Sequence, residues 1–361
     1  MKRVYCIHPG IHDIESLIEY LGIEKEVSET LVWEPNNPDY LFVAEHIFFV
    51  PQFFYEFKKY IDRDEIIKIY ISGECISPDM NLFDYAIAFD RKLKDSDRIC
   101  RFPPTVLHRE SIFVPRNDLS RRDAEQLINN RKKFCCFIYS NPYAHPMRDR
   151  LFYELSRYKR IDSLGRHLHN TDTPSSRNAA NWRELSVKMK SDYKFSIASE
   201  NASYEGYTSE KLFSSFQAHT VPIYWGNPFV SEEFNNRAFI DCNKLDSMEE
   251  IVQRVKAIDE DDEMWIDMVL QPWQTVEQEL KTEQEVQEYY SFINHIFKQD
   301  IQDAHRIPTG TYPSKYREFF KRNPSLSVTI RNSQLMDCFD KVKKPFVKPA
   351  KTVLNAFRRL Q

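Results

Sequence analysis

The sequence predicts an α/β protein built from two Rossmann-like domains facing a cleft, and three features predict it. Continuous apolar runs alternate with amphipathic helical patterns in two separate series, a polar stretch divides the series, and most of the few glycines sit where strands end. Unbroken apolar runs, rather than alternating ones, are expected of parallel strands covered by helices on both faces. With 361 residues, 42% hydrophobic and 14% aromatic, the chain exceeds the roughly 250–300 residues at which a single core stops growing.

In the first series, residues 4–7 read as a strand and 14–21 as an amphipathic helix. A strand over 40–44 follows, then an aromatic helix around 53–57 and strands over 66–71 and 85–89. Residues 116–132 are polar, with little apolar periodicity beyond Leu119, Leu127 and Ile128. A linker at 119–132 is therefore expected to separate a domain over 1–118 from one over 133–280. The second series runs through a strand at 134–139, a helix through 151–155, a short strand at 161–163 and a strand at 193–198. It continues with a helix from Thr208 to about Ala218 and strands at 221–225 and 238–241. Ser247 then caps a helix, with Glu250 in capping-box position. Gly73, Gly165, Gly206 and Gly226 follow strands or their loops, where backbone can approach a ligand closely. Ordinary strand-to-helix turns would also place glycines there.

Residues 281–361 form a helical segment and a basic amphipathic tail. From Tyr312 onward twelve Lys and Arg stand against Glu318, Asp337 and Asp340, with phenylalanines interleaved. Such a stretch suits an anionic membrane surface and equally a solvated tail; Pro345 and Pro349 preclude one long helix. Charged residues make up 29% of the chain and the net charge is −4, so no basic excess argues for nucleic acid. The opening residues lack the long apolar stretch and cleavage site of a secretory signal, and nothing approaches the ~20 apolar residues that cross a bilayer. Seven cysteines, scattered apart from Cys135 and Cys136, form neither a metal spacing nor a disulfide framework, which fits a reducing compartment. A cytoplasmic location is expected, with a peripheral place at the inner membrane face left open by the tail.

Three places gather residues suited to chemistry. A strand ends at Glu200-Asn201, a loop turns through Gly206, and a helix opens near Thr208 with Glu210 and Lys211 in its first turn. Free N–H groups and partial positive charge make a helix N-terminus a seat for a diphosphate. Glu210 is ordinary there, whereas a lysine opposes the dipole unless an anion arrives. Arg148, on the first turn of the helix after Ser140-Asn141-Pro142, opposes its dipole in the same way. Two cations at the carboxyl ends of neighbouring strands suggest one shared phosphate ligand, although Arg148 alone reads equally as a surface charge. Glu74 closes the strand Ile71-Ser72-Gly73 and could take a proton from an incoming hydroxyl; such a residue, taken singly, is more often structural. His167 and His169 lack a third metal ligand nearby. Asp95-Ser96-Asp97 resembles a metal-binding Asp-x-Asp, a chance match in so acidic a chain. There is no Gly-rich phosphate loop and no motif for a Ser or Cys triad.

Several blocks carry a resemblance in order and with suitable spacing: Tyr139-Ser140-Asn141-Pro142 with Arg148; 158–166 (YKRIDSLGR); Tyr193-Lys194-Phe195 through Glu200-Asn201; Gly206-Tyr207-Thr208-Ser209-Glu210-Lys211; and Val221-Pro222-Ile223-Tyr224-Trp225-Gly226. Asn235 through Ile240 continues the pattern. In the first half Gly73-Glu74, Ser77-Pro78 and 82–90 (LFDYAIAFD) add to it. From about Ile66 to Gln271 the chain resembles the α-1,3/4-fucosyltransferases of glycosyltransferase family ten, particularly the bacterial branch. The resemblance implies the GT-B fold, GDP-fucose as donor and transfer with inversion; Arg148, Lys211 and the amides opening the helix at Thr208 could stabilise the leaving diphosphate, so no metal cofactor is expected. It implies that the domain over 133–280 binds GDP-fucose and the domain over 1–118 the acceptor, an N-acetyllactosamine-type glycan. The linkage would be α-1,3, with α-1,4 open, and the products Lewis-type structures on lipopolysaccharide.

Carried over position by position, Glu74 takes the place of the general base, and Arg148 and Lys211 match residues holding the donor diphosphate. Glu210 matches a contact at the ribose, while Asn201 and Tyr207 align with positions lining the donor site. Cys75 replaces an Asn that often follows the base. The first ~65 residues match nothing specific and would carry much of the acceptor selectivity. Transfer of another sugar from a guanine nucleotide is the nearest alternative. A glycoside hydrolase using Glu74 and Glu200 would need the two carboxyls about 5–9.5 Å apart and leaves Lys211 and Arg148 unexplained. A non-catalytic glycan-binding module would show no response to GDP.

Overall fold

Two parallel sheets carry the chain in the computed structural model, which describes residues 1–91, 93, 97–101, 119–131, 133–172 and 182–323. The first sheet comprises β1 (Lys2–Ile7), β2 (Leu31–Trp33), β3 (Tyr40–Ala44), β4 (Ile67–Ile71), β5 (Tyr85–Ala88) and β6 (Ile99–Arg101), in the order β2-β1-β3-β4-β5-β6. The second comprises β7 (Lys133–Phe137), β8 (Ile161–Ser163), β9 (Tyr193–Ser199), β10 (Val221–Trp225) and β11 (Ile240–Asp241), in the order β11-β10-β9-β7-β8. Strands β2 and β6, of 3 residues each, are too short to announce themselves by periodicity in the sequence.

Unbroken apolar strands are buried on both sides, as expected. Tyr40, Phe42, Ile69 and Ile71 pack with Leu17 and Leu21 of α1 (Ile14–Leu21). Their neighbours Leu41, Val43 and Tyr70 turn to the other face and pack with Phe57 of α2 (Pro51–Lys58). In the second sheet Phe137, Phe195, Ile197 and Ile223 share one cluster with Leu151 and Leu155 of the helix that follows β7.

The polar run expected to be a linker is instead largely a helix, α3 (Arg121–Asn130). Ser120 accepts the Asp123 N–H in a capping box, and Ala124 and Ile128 are buried in the second core. Two buried positions four apart suffice to dock a short helix whose other faces are solvated, which is why its composition read as linker. The second unit continues with α4 (Met147–Tyr158), α5 (Trp182–Lys190), α6 (Glu210–Gln217), α7 (Met248–Glu260) and α8 (Asp262–Val269). Ser247 caps α7 by accepting the Glu250 N–H at 3.1 Å. The Glu250 carboxylate, however, accepts from Asp246 N rather than closing the expected box.

The segment set apart at 281 belongs in part to the first unit. Helix α9 (Val276–Lys298) returns across the molecule, and its Tyr289, Ile293, Ile296 and Phe297 are buried against Val4, Leu17 and Tyr40. Burying such side chains is worth roughly 1.5–3 kcal/mol each. Tyr289 also donates to Leu21 O at 2.7 Å. Helix α10 (Thr311–Arg322) follows, with Phe320 5.7 Å from Phe54 and buried Arg317 3.0 Å from Asp64. Phe320 and Arg317 thus read from sequence as part of a basic tail but serve as packing for the first sheet's helices. The remainder of that tail, from 324 on, lies outside the described residues, as do Asp95, Ser96 and residues 102–118. No helix among the described residues is long and apolar enough to cross a membrane.

Candidate active site

Strand β9 ends at Ser199, and the three consecutive residues Ser199, Glu200 and Asn201 gather both predicted cations. Arg148, on the first turn of α4, is 1% exposed. Its Nη2 donates to Ser199 O at 3.0 Å and to Asn201 Oδ1 at 2.7 Å, and the guanidinium lies 4.1 Å from the centroid of the Tyr139 ring. Among the described residues its buried Nε has no partner. A guanidinium carries five donors, and this one is left unused in a closed environment.

Lys211 stands on the other side of Glu200. Its Nζ lies 3.2 Å from Glu200 Oε2 and 3.4 Å from Glu210 Oε1, and donates to Ser209 Oγ at 2.8 Å. Burial would lower the ammonium's proton affinity, but the Glu200 and Glu210 carboxylates outweigh it and raise it. The lysine that seemed out of place at a helix start therefore has carboxylate partners within the protein. Glu200 is itself wholly buried and also accepts from Ser209 N at 2.8 Å and Ser209 Oγ at 2.6 Å. Gly226 makes this packing possible: a Cβ there would stand 2.4 Å from Glu200 Cγ.

Ser209 is the N-cap of α6, yet its side chain makes no capping bond. A serine there ordinarily accepts an N–H from the first turn; here the hydroxyl is turned to Glu200 and Lys211. The helix thus opens without a side-chain cap, next to a lysine, which is the arrangement a diphosphate uses. Glu210, more open than Lys211, borders the same opening.

Glu74 comes from the first sheet, just beyond the carboxyl end of β4. Its Oε2 accepts from Asn201 Nδ2 and from Tyr207 OH, both at 3.1 Å. Burial holds the Tyr207 phenol strongly protonated, so it remains a donor. Both of these bonds fall on Oε2, and among the described residues no hydrogen bond reaches Glu74 Oε1. Asn201 therefore touches Arg148 with its carbonyl and Glu74 with its amide.

The two sheets meet closely around this point. Tyr204 OH donates to Asp90 Oδ2 at 2.9 Å, and Ser77 Oγ to the same oxygen at 2.8 Å. Buried Arg101, at the end of β6, reaches Glu233 at 2.6 Å and Glu285 at 2.8 Å and donates to Gly206 O at 3.3 Å. Gly206 has φ +86°, and a Cβ there would lie 2.5 Å from Phe89 O. Only glycine meets both demands without strain.

The structure thus brings together Glu74, Arg148, Asn201, Tyr207, Glu210 and Lys211. Glu200 is engaged by Ser209 and Lys211 and has no exposed surface, so it cannot flank a scissile bond with Glu74 as a hydrolase requires. Neither histidine of the His-x-His pair has a metal-ligand arrangement: His167 Nε2 lies 2.7 Å from Asp149 Oδ1 and His169 Nδ1 2.8 Å from Gly165 O. No group of three or more His, Cys, Asp or Glu among the described residues could hold a metal. Sequence reasoning did not find Arg101 or the structural part of Glu200. Arg101 gave no signal, because its partners lie more than a hundred residues away.

Two family models tile most of this architecture. Residues 30–108 match "Alpha-(1,3)-fucosyltransferase FucT N-terminal domain", and residues 128–303 match "Glycosyltransferase family 10 (fucosyltransferase) C-term". The chain belongs to glycosyltransferase family 10. It is 28% identical over 219 residues to a putative fucosyltransferase, R654, of Acanthamoeba polyphaga mimivirus, covering 60% of this chain and 35% of the relative. It is 27% identical over 244 residues to the alpha-(1,3)-fucosyltransferase FucT of Helicobacter pylori, covering 59% and 48% respectively. The chain thus spans between a third and a half of these relatives. A crystal structure of an alpha1,3-fucosyltransferase with GDP-fucose superposes with a TM-score of 0.61 at 23% identity, over 83% of this chain and 91% of the other. That likeness shows the fold, GT-B. The family 10 match begins within the last turn of α3 and runs through α9, so it includes the helix that returns to the first sheet.

Proposed function

We propose that this family 10 protein transfers L-fucose from GDP-fucose, with inversion, to a hydroxyl of an N-acetylglucosamine-containing glycan in α-1,3 linkage, with Glu74 as general base. The observation that carries the reading is the contact of Glu74, from one sheet, with Asn201 and Tyr207, from the other, beside Arg148 and the uncapped start of α6. A proton acceptor and a seat for a departing diphosphate thereby face one gap. The Helicobacter relative's name and the GDP-fucose bound to the related crystal structure support the choice of sugar and linkage.

In this mechanism the acceptor oxygen forms a bond to fucose C1 while the bond from C1 to the β-phosphate oxygen breaks on the opposite face. The acceptor proton passes to Glu74 Oε1, and the electron pair of the broken bond leaves with GDP. Asn201 and Tyr207 hold the other carboxylate oxygen, so Oε1 is aimed rather than free to rotate. Charge building on the diphosphate is met by Arg148, Lys211 and the first N–H groups of α6, the kind of preorganised stabilisation that dominates such reactions. Glu210 at the rim suits the ribose hydroxyls.

The test is Glu74→Gln assayed with GDP-fucose and type 1 and type 2 lactosamine acceptors, followed by linkage analysis and competition by other guanine-nucleotide sugars. Loss of a general base costs about 10²–10⁴-fold in turnover, with GDP binding retained. Full turnover by the variant would overturn the base assignment; preference for another nucleotide sugar would overturn the donor.

A further inference from the structure

The carboxyl ends of three adjacent parallel strands, β1, β3 and β4, place His8, Glu45, His46 and Glu74 in a row along the cleft edge of the first sheet. Glu45 follows β3 directly, whereas Ser72 and Gly73 separate Glu74 from the end of β4; the Glu45 side chain is buried, with the residue 3% exposed. Its Oε2 accepts the Gly73 N–H at 3.2 Å. The ideal Cβ position of Gly73 lies 3.8 Å from both Glu45 Oε1 and Tyr20 OH, so the carboxyl and the phenol flank the residue immediately before Glu74. Ser72 Oγ donates to Glu74 O at 2.7 Å from the same strand end. The loop carrying Glu74 is therefore held at Gly73 N by Glu45 and at its own carbonyl by Ser72.

We propose that Glu45 is a positioning residue for Glu74, fixing the Gly73–Glu74 segment through the Gly73 N–H so that the Glu74 carboxylate meets the acceptor hydroxyl. This rests on the reading of Glu74 as base. The surroundings of Glu45 make it sensitive to pH. Burial, reinforced by the Glu74 charge and opposed by backbone N–H donors, pushes its carboxyl up to about 7. Two imidazoles and two phenols face it, and the Arg183 guanidinium of α5 acts on the Tyr20 phenol. His46, with Nδ1 3.6 Å from Glu45 Oε1, is held below the ordinary imidazole range by burial. His8, whose ring lies 5.9 Å from that of His46, is lowered to about 4 by burial and its neighbours His46 and His12. Tyr20 from α1 and Tyr70 from β4 are raised, chiefly by burial and also by Glu45, and remain neutral. Ionisation of Glu45 tightens its hold on Gly73 N–H and adds a negative charge beside Glu74, which favours the arrival of a proton there.

The experiment measures kcat and KM for GDP-fucose and for a type 2 lactosamine acceptor across roughly pH 5.5–8.5, in the wild type, Glu45→Gln and Glu45→Ala. The wild type is expected to show a rise in kcat through an ionisation near 7. Glu45→Gln keeps an oxygen for Gly73 N–H but cannot ionise, so its rise through neutrality vanishes while its kcat at neutral pH stays within about fivefold of wild type. Glu45→Ala loses about tenfold or more in kcat with KM for GDP-fucose unchanged. A wild-type profile flat through neutrality overturns the proposal, as does a Glu45→Gln profile that keeps the rise or falls more than about fivefold at neutral pH. If Glu45→Ala does not fold, the Gln variant decides alone. Glu74→Gln separates the two readings: if it abolishes transfer while the Glu45 variants behave as wild type, only this inference fails.

Discussion

Asn201 Nδ2 donates to Glu74 Oε2 across 3.1 Å, and the two residues belong to different sheets 127 positions apart in the chain. The same side chain accepts from Arg148 at 2.7 Å. One amide therefore couples Glu74, the proposed base, to the Arg148 guanidinium, and only a group with both a donor and an acceptor can do so. Asn201→Asp keeps the acceptor for Arg148 but places a second negative charge against Glu74. Hydrogen bonds to charged groups are worth about 1.5–3 kcal/mol, so turnover should fall about 10–100-fold while GDP binding, measured by calorimetry, is preserved. Equal losses in both would show that Asn201 serves the nucleotide alone.

Lys211 and Glu200 separate stability from chemistry. Lys211→Ala removes the cation facing a fully buried carboxylate, and breaking such a pair costs about 3–5 kcal/mol. Adding Glu200→Gln should recover much of that stability in denaturant melts. Turnover should not return, since the loss of one charge-stabilising contact costs about 2.7–4 kcal/mol of barrier. Recovery of activity in the double variant would assign Lys211 a purely structural place.

Gly206 sets how closely the loop before α6 approaches the first sheet. Gly206→Ala combines a positive φ, worth about 1–2 kcal/mol against an ordinary residue, with a Cβ 2.5 Å from Phe89 O. The melting temperature should fall, and turnover should fall with it because Tyr207, next in sequence, loses its distance to Glu74. A variant as stable and active as wild type would show that this approach is not needed.

Stability should also report on Glu45. Its carboxyl titrates near 7 in the folded protein against an ordinary 4.5, so the fold favours its protonated form. Below about 4.5 both folded and unfolded chains hold the proton, and nothing is lost. Between 4.5 and 7 the unfolded chain ionises first and the native state loses about 3 kcal/mol relative to it. Above 7 the deficit stays constant. Urea melts of Glu45→Gln and wild type should therefore diverge in favour of the variant as pH rises through that window. A pH-independent difference would rule out a raised Glu45.

The strands at the site were legible because a parallel strand buried on both faces is largely apolar, as in 40–44, in 66–71 apart from Lys68 and in 193–198 apart from Lys194 and Ser196. Lys211 and Arg148 drew attention because a cation in a first helical turn contradicts the local dipole, whereas Glu74, beyond the end of such a strand, was singled out by the family resemblance. Glu45 likewise follows a strand, 40–44, but sequence could not show it burying its carboxyl beneath Gly73. The helix at Arg121–Asn130 was hidden by its solvated faces, and α9 gave no sign that it would cross back to the first sheet.

The sequence by itself determined two parallel α/β units and the residue types at their strand ends, since burial and helix polarity are written in neighbouring residues. Tertiary structure alone decided that Glu200 would neutralise Lys211, that Asn201 would join Arg148 to Glu74, and that Arg101 would bind Glu233 and Glu285. Those pairings depend on how two sheets dock, and docking is fixed by summed packing over both surfaces, which no local stretch of the chain encodes.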